Sequence, residues 1–291
     1  MRRGRLVALL QAFFVTFLWS SSYVLVKIGL KEIAPLSLVS LRYIVASFIL
    51  LIAAVLKGNT RLLTDTRHLT RIAILGVSGY TVAQGLQCVG LFYLPAVSVT
   101  FLLNFTPVIV LVFGALALKE YPRPHQLLGM ALVMVGAYLY FGSSLSGFNA
   151  TGALITLASG VGWATYLVMS RSTFLSEEAN PLELTSATMT VGTLILALYT
   201  FTTEGVPTVS PTGWAIILWL GAVNTALAFF LWNHALQKLE AFEISIIQNT
   251  MLPQIALLAW LLLGEPITPG KLLPMALVLI GALTVQKKDL P

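Results

Sequence analysis

The sequence predicts an all-α integral membrane protein, with ten transmembrane helices arranged as two inverted five-helix repeats around a central cavity. Three observations predict it. The chain of 291 residues is 57% hydrophobic and only 10% charged, and apolar stretches of the length that crosses ~30 Å of hydrocarbon recur along it. The chain also repeats itself: residues 76–141 lie on 221–286 at an offset of 145 without a gap, and 19 of the 66 aligned pairs are identical. Finally, each copy holds five spans, an odd number, so the second copy must sit upside down relative to the first. An internally duplicated apolar chain is the usual build of a secondary transporter, with its site where the repeats meet.

The expected spans are 6–28, 35–56, 70–92, 96–118, 125–142, 152–171, 182–202, 213–235, 243–263 and 270–286, joined by connections too short for a soluble domain. The first follows Arg2, Arg3 and Arg5 and could pass for a signal peptide. Its apolar run is too long for one, and no small-residue cleavage site follows before Lys27. Between the fifth and sixth spans an uncharged Gly/Ser-rich stretch is the natural linker. The predicted organisation is therefore a first repeat over 1–142, a linker over 143–151 and a second repeat over 152–291. Leu and Ala match partly by chance, so the informative identities are Gly76/Gly221, Asn104/Asn249, Glu120/Glu265, Pro124/Pro269 and Gly136/Gly281, with a looser match of Trp19 to Trp163 and Lys27 to Arg171.

The formal charge of +6 could suggest a nucleic-acid partner, but its placement argues otherwise. With the N-terminal arginines in the cytoplasm, 13 Lys and Arg residues fall on that side and four (Lys27, Lys31, Arg42, Lys271) on the other. That is the positive-inside asymmetry, so both termini are expected in the cytoplasm of a multi-pass inner-membrane protein. Cys88 is the one cysteine, which excludes an intrachain disulfide and a cysteine-based metal site. No metal or cofactor is expected. The expected partners are the lipid bilayer and a small-molecule substrate, and one duplicated chain suffices for a functional monomer.

Trp19-Ser20-Ser21-Ser22-Tyr23, Arg42 with Ala46, Pro107, Glu120, the stretch Gly129 to Gly136, Trp163, Pro253, Gly264-Glu265-Pro266 with Thr268, and Gly281 together resemble the EamA-type family of the drug/metabolite transporter superfamily. The likeness covers both repeats. It implies a cavity lined chiefly by spans 1, 3, 4, 6, 8 and 9, and substrates such as amino acids, related metabolites and drugs, commonly exported. One departure is that Arg42 has no basic counterpart at Thr188.

Several residues could carry transport. In span 3, Tyr80, Gln84 and Gln87 are spaced four and three apart, which places them on one side of an α-helix. Polar side chains in a bilayer face the bundle or a water-filled cavity, so these read as a substrate-binding wall, or alternatively as interhelical packing. Asn104 and Asn249 each stand just ahead of a proline. Pro107 and Pro253 should free the carbonyls of Leu103 and Asn249, giving either a ligand site or a structural kink. Gln248 beside Asn249 tilts toward a cavity. Trp19 and Trp163 could stack on a substrate, and Ser22 and Tyr166 are substrate-binding candidates beside them, whereas Phe229 and Trp232 read as packing. Asn224 and His234 are weaker candidates. Arg42 lies about seven residues into span 2, where an unpaired charge is costly. It suits a gate or structural role, pairing with Glu265 or attracting a carboxylate. Glu120 and Glu265 read as organisers of the 4–5 and 9–10 hairpins.

All eleven Asp and Glu residues fall in loops or at span ends. Proton relays and cation antiporters generally need a carboxylate at mid-membrane, and the absence of a basic cluster there argues against sugar phosphates. The expected function is thus alternating-access transport of small zwitterionic or aromatic metabolites, most plausibly amino acids and in the export direction. A broad drug exporter of the same fold is the alternative. An intramembrane enzyme would need a nucleophile–base pair, a zinc signature or an aspartyl dyad, and the sequence offers none. A non-transporting scaffold or receptor fits poorly with the duplication.

Overall fold

The computed structural model describes residues 2–64, 68–94, 96–142, 149–176, 179–263 and 267–287. Among them ten helical segments are long and apolar enough to cross a bilayer. They are Gly4–Ser22 (span 1), Pro35–Leu56 (span 2), Leu69–Gly90 (span 3), Ser98–Leu118 (span 4), Pro124–Phe141 (span 5), Ala150–Ser176 (span 6), Pro181–Thr203 (span 7), Pro211–Leu236 (span 8), Ala241–Leu262 (span 9) and Pro269–Gln286 (span 10). Proline at the first helical position opens spans 2, 5, 7 and 8, where its missing N–H costs nothing and its fixed φ is already helical. In spans 7 and 8 the preceding Asn180 and Ser210 cap the helix by accepting from Leu182 N and Gly213 N. Span 6 runs past the expected end at 171 to Ser176. Arg171 does not stop it, because its guanidinium is bonded to Glu120 and to the carbonyls of Leu236 and Gln237.

The two halves are related by a pseudo-twofold axis that can be read contact by contact. Spans 5 and 10 cross where Gly129 lies against the Gly281 carbonyl and Gly136 against the Pro274 carbonyl. A shift of 145 turns one of these pairs into the other. A Cβ on Gly129 would stand 2.6 Å from the Gly281 oxygen, so the crossing requires glycine. Gly76 of span 3 meets the Thr188 carbonyl and Val191 on span 7, and its duplicate Gly221 of span 8 meets the Arg42 carbonyl and Val45 on span 2. Ser47 and Thr193, equivalent positions on spans 2 and 7, hydrogen-bond to each other at 2.9 Å. Span 2 packs on span 7 and span 5 on span 10, while 3, 6, 4, 9, 1 and 8 contact one another in turn to close a ring.

Four of those central spans depart from simple α-helices, in symmetric pairs. Span 3 winds as a π-helix over Val77–Gly85 and span 8 over Ala222–Leu227, each starting directly after the duplicated glycine. Span 4 is two helices, Ala96–Leu103 and Thr106–Leu118, and span 9 is likewise Ala241–Gln248 and Met251–Leu263. π-turns and interrupted helices persist where neighbouring groups satisfy the backbone they expose, and they concentrate at functional sites.

Candidate substrate site

The two interruptions meet at the centre of the bundle. Asn249 Nδ2 donates to the Asn104 carbonyl at 3.1 Å, joining equivalent residues of the two repeats. Asn104 is 6% exposed, and its Nδ2 donates to the Thr100 carbonyl one turn back. Its Oδ1 is buried and accepts nothing. Pro107 has no N–H to give to the Leu103 carbonyl four residues back. The matching expectation for Pro253 is corrected: the Asn249 carbonyl accepts from Leu252 N at 3.1 Å. The turn at 249–250 tightens to an i→i+3 bond that takes up the acceptor Pro253 leaves behind.

Beside this junction lies an aromatic cluster drawn from five spans. Trp19 packs on Trp232 with ring centroids 4.8 Å apart, on Phe229 at 5.4 Å and on Trp163 at 6.3 Å. Trp163 stacks on Tyr166 at 5.2 Å, and its Nε1 donates to Gln248 Oε1 at 2.7 Å, which ties span 6 to the break in span 9. Tyr43 and Tyr80 close the group against Phe229. Such pairs are each worth about 0.5–1.5 kcal/mol beyond their buried area, so the cluster is a firm plug and an apolar, polarisable wall at once. Trp19 is half-buried and Trp163 nearly buried, while Trp232 and Tyr166 are fully enclosed.

The structure separates residues that the sequence placed together. Tyr80 does not share an open wall with Gln84 and Gln87. It is fully buried, with its hydroxyl 2.9 Å from that of Tyr166. The expected face assumed an α-helix. The π-turns over 77–85 carry more residues per turn, so Gln87 is rotated away from Tyr80. Gln84 and Gln87 are half-buried and make no hydrogen bond among the described residues. Ser22 is also half-buried and donates to the Trp19 carbonyl of its own helix. Glu120 does more than turn the 4–5 hairpin. It pairs with Arg171 of span 6 at 3.1 Å and accepts from Ala241 N at the start of span 9. Glu265 lies outside the described residues, as do the side chains of Tyr23 and Lys27.

Sequence reasoning missed two polar groups. Asn233 donates to Tyr166 Oη at 2.7 Å and to Thr185 Oγ1 at 2.8 Å, holding spans 6, 7 and 8 together at full burial. Thr16 and Ser20 of span 1 meet Thr250 and Gln254 of span 9, with Gln254 accepting from Ser20 and donating to Thr16, each at 3.0 Å. The available signal was the spacing of four in both pairs, which puts each on one helix face. No group of three or more His, Cys, Asp or Glu residues that could hold a metal occurs among the described residues.

Ten spans in two symmetric halves, with interrupted helices meeting at the centre, define a polytopic transporter of inverted-repeat build. The chain belongs to the EamA-like transporter family, whose model matches twice, over residues 6–142 and 150–286. An uncharacterized transporter of Archaeoglobus fulgidus is 26% identical over 277 residues, 94% of this chain and 96% of that protein. A Salmonella typhimurium protein named "Probable amino-acid metabolite efflux pump" is 24% identical, covering 93% of this chain and 91% of its own. A Streptantibioticus cattleyicolor protein named "Probable terminal-alkyne amino-acid exporter" is 27% identical, covering 94% and 91%. One solved crystal structure superposes with a TM-score of 0.83 over 96% of each chain at 18% identity, a likeness of fold.

Proposed function

We propose that this transporter exports small zwitterionic or aromatic metabolites, amino acids foremost, by alternating access across an inner membrane with both termini in the cytoplasm. The observation that carries the reading is the junction of Asn104 and Asn249. There the buried, unbonded Asn104 Oδ1 stands by the break in span 9 that Gln248 ties to the aromatic wall. A free acceptor just past the C-terminal, negative end of the half-helix Ala96–Leu103 suits an ammonium group. The tryptophan faces suit an aliphatic or aromatic side chain. Two relatives bear names of amino-acid exporters, which supports the same class. The two inverted units, 1–142 and 152–291 with the linker between, supply both halves of the cycle in one chain, so a monomer suffices.

The acids among the described residues sit at the ends of spans, as Glu183 and Glu243 do in the first turns of spans 7 and 9. Transport is therefore downhill or by exchange, without a built-in proton site. A drug exporter of broad range is the second reading, and the aromatic cluster is the observation in its favour. Flux of labelled amino acids into proteoliposomes of purified protein tests both. Saturable flux, little changed by an imposed pH gradient and reduced at least tenfold by Asn104→Leu, is the expected result. Flux of cationic dyes with none of any amino acid supports the second reading instead.

A further inference from the structure

We infer that Arg42, with Tyr43 as a second donor, anchors the carboxylate of the substrate. The inference rests on the reading of an amino-acid-like solute and adds to it the residue that selects for acid. Arg42 is half-buried within span 2, and its Nε is enclosed without a hydrogen-bond partner. The guanidinium carbon stands 5.1 Å from the centroid of the Tyr43 ring. That ring is fully buried and packs on Tyr80 at 5.8 Å and Phe229 at 6.0 Å. The cation is thus turned toward the bundle interior, beside the aromatic cluster, and away from lipid. Tyr43 Oη is likewise buried and unbonded. A positive charge and a phenol donor lie side by side with no carboxylate partner among the described residues, the complement of a carboxylate.

The rest of the molecule shows that this is not how the chain treats an arginine it needs for packing. Arg5 is paired with Glu243 and Arg171 with Glu120, as the cost of an uncompensated charge demands. Arg42 has no acidic partner among the described residues. The duplicated half supplies an internal control. Thr188 presents its carbonyl to Gly76 in the way that Arg42 presents its own to Gly221. The backbone contact is therefore made equally well by a threonine, and the guanidinium is surplus to it.

The test compares three probes in proteoliposomes: L-phenylalanine, L-phenylalaninamide, which lacks only the carboxylate charge, and phenethylamine. Wild type should prefer the acid. Arg42→Gln should lose roughly tenfold or more of acid flux while amide flux holds, so that the preference disappears. Arg42→Lys should keep part of it. Tyr43→Phe, which leaves the ring packing in place, should lower acid flux alone by a few-fold and carries the test if Arg42→Gln does not fold. An unchanged acid-over-amide preference in Arg42→Gln or, failing that variant, in Tyr43→Phe overturns the inference and leaves the transport reading standing. So does an equal loss of preference in Glu265→Gln, which would make Arg42 a partner of that acid. A wild type that carries no amino acid overturns both.

Discussion

The two ends of span 9 differ sharply although one helix line connects them. Residues 241–247, at the end of the bundle that carries both termini, are all buried. Toward the other end Trp260 is 50% exposed and Leu262 62%. The surroundings differ in the same way. At the terminal end Glu243 pairs with Arg5, Glu120 joins Arg171 to the start of span 9, Gln286 donates to the Glu243 carbonyl and Gln237 to that of Ala179. Among the described residues of the opposite end, Ser37 bonds to Glu204 and Ser210 to Glu32, at exposed carboxylates. Among the described residues, enclosed charge-paired contacts hold the terminal face and exposed ones hold the other. An inverted repeat presents similar surfaces at its two ends, so this difference is one the symmetry does not require.

The largest test of that contrast removes the charge at the terminal end. The side chains of Arg171 and Glu120 are 12% and 14% exposed. Arg171→Met leaves Glu120 desolvated and two carbonyls without a donor, and it should cost about 3–5 kcal/mol, read as a fall in melting temperature in detergent. The double variant Arg171→Met/Glu120→Gln should recover part of the loss, since an unpaired buried charge is worse than none. Full stability in the single variant would mean that the terminal face is not held by this pair.

Much of this architecture was legible in the sequence because it depends on length and repetition. Apolar runs of bilayer length must be spans, and aligning the halves singled out Gly136 and Gly281, which the structure places at the crossing of spans 5 and 10. The pairing of Asn104 with Asn249 also follows from duplication, since equivalent residues can meet only on the axis. Side-chain environment was less legible, for two physical reasons. Helical periodicity was taken as 3.6 throughout, and the π-turn over 77–85 removed Gln87 from the face of Tyr80. Contacts between distant spans leave no trace in local pattern. The bond from Trp163 to Gln248 and the role of Asn233 are of that kind, and so is the partner of Glu120.

A smaller effect comes from the third carboxylate at the terminal face. Glu240 precedes span 9, and partial burial together with the neighbouring charges of Glu243 and Glu120 raises its pKa above the ordinary glutamate value. A raised carboxyl favours the protonated form in the folded state. Its contribution to stability is complete below the unfolded value of about 4.3 and is lost as pH rises through the folded one. Glu240→Gln removes that loss. Its melting temperature should match wild type in acid and exceed it increasingly toward neutrality. A gap that narrows as pH rises would show that burial and repulsion do not govern this group.

The smallest effect is expected at the opposite end. Glu204 accepts from Ser37 N at 3.2 Å and from Ser37 Oγ at 2.7 Å, so it caps the start of span 2 from span 7. Its carboxylate is exposed and the bonds compete with water. Glu204→Gln keeps one acceptor oxygen and the side-chain volume, and should cost under about 1 kcal/mol, several-fold less than Arg171→Met in the same detergent melt. The ratio matters more than either value. Equal losses at the two ends would mean that both faces are held alike.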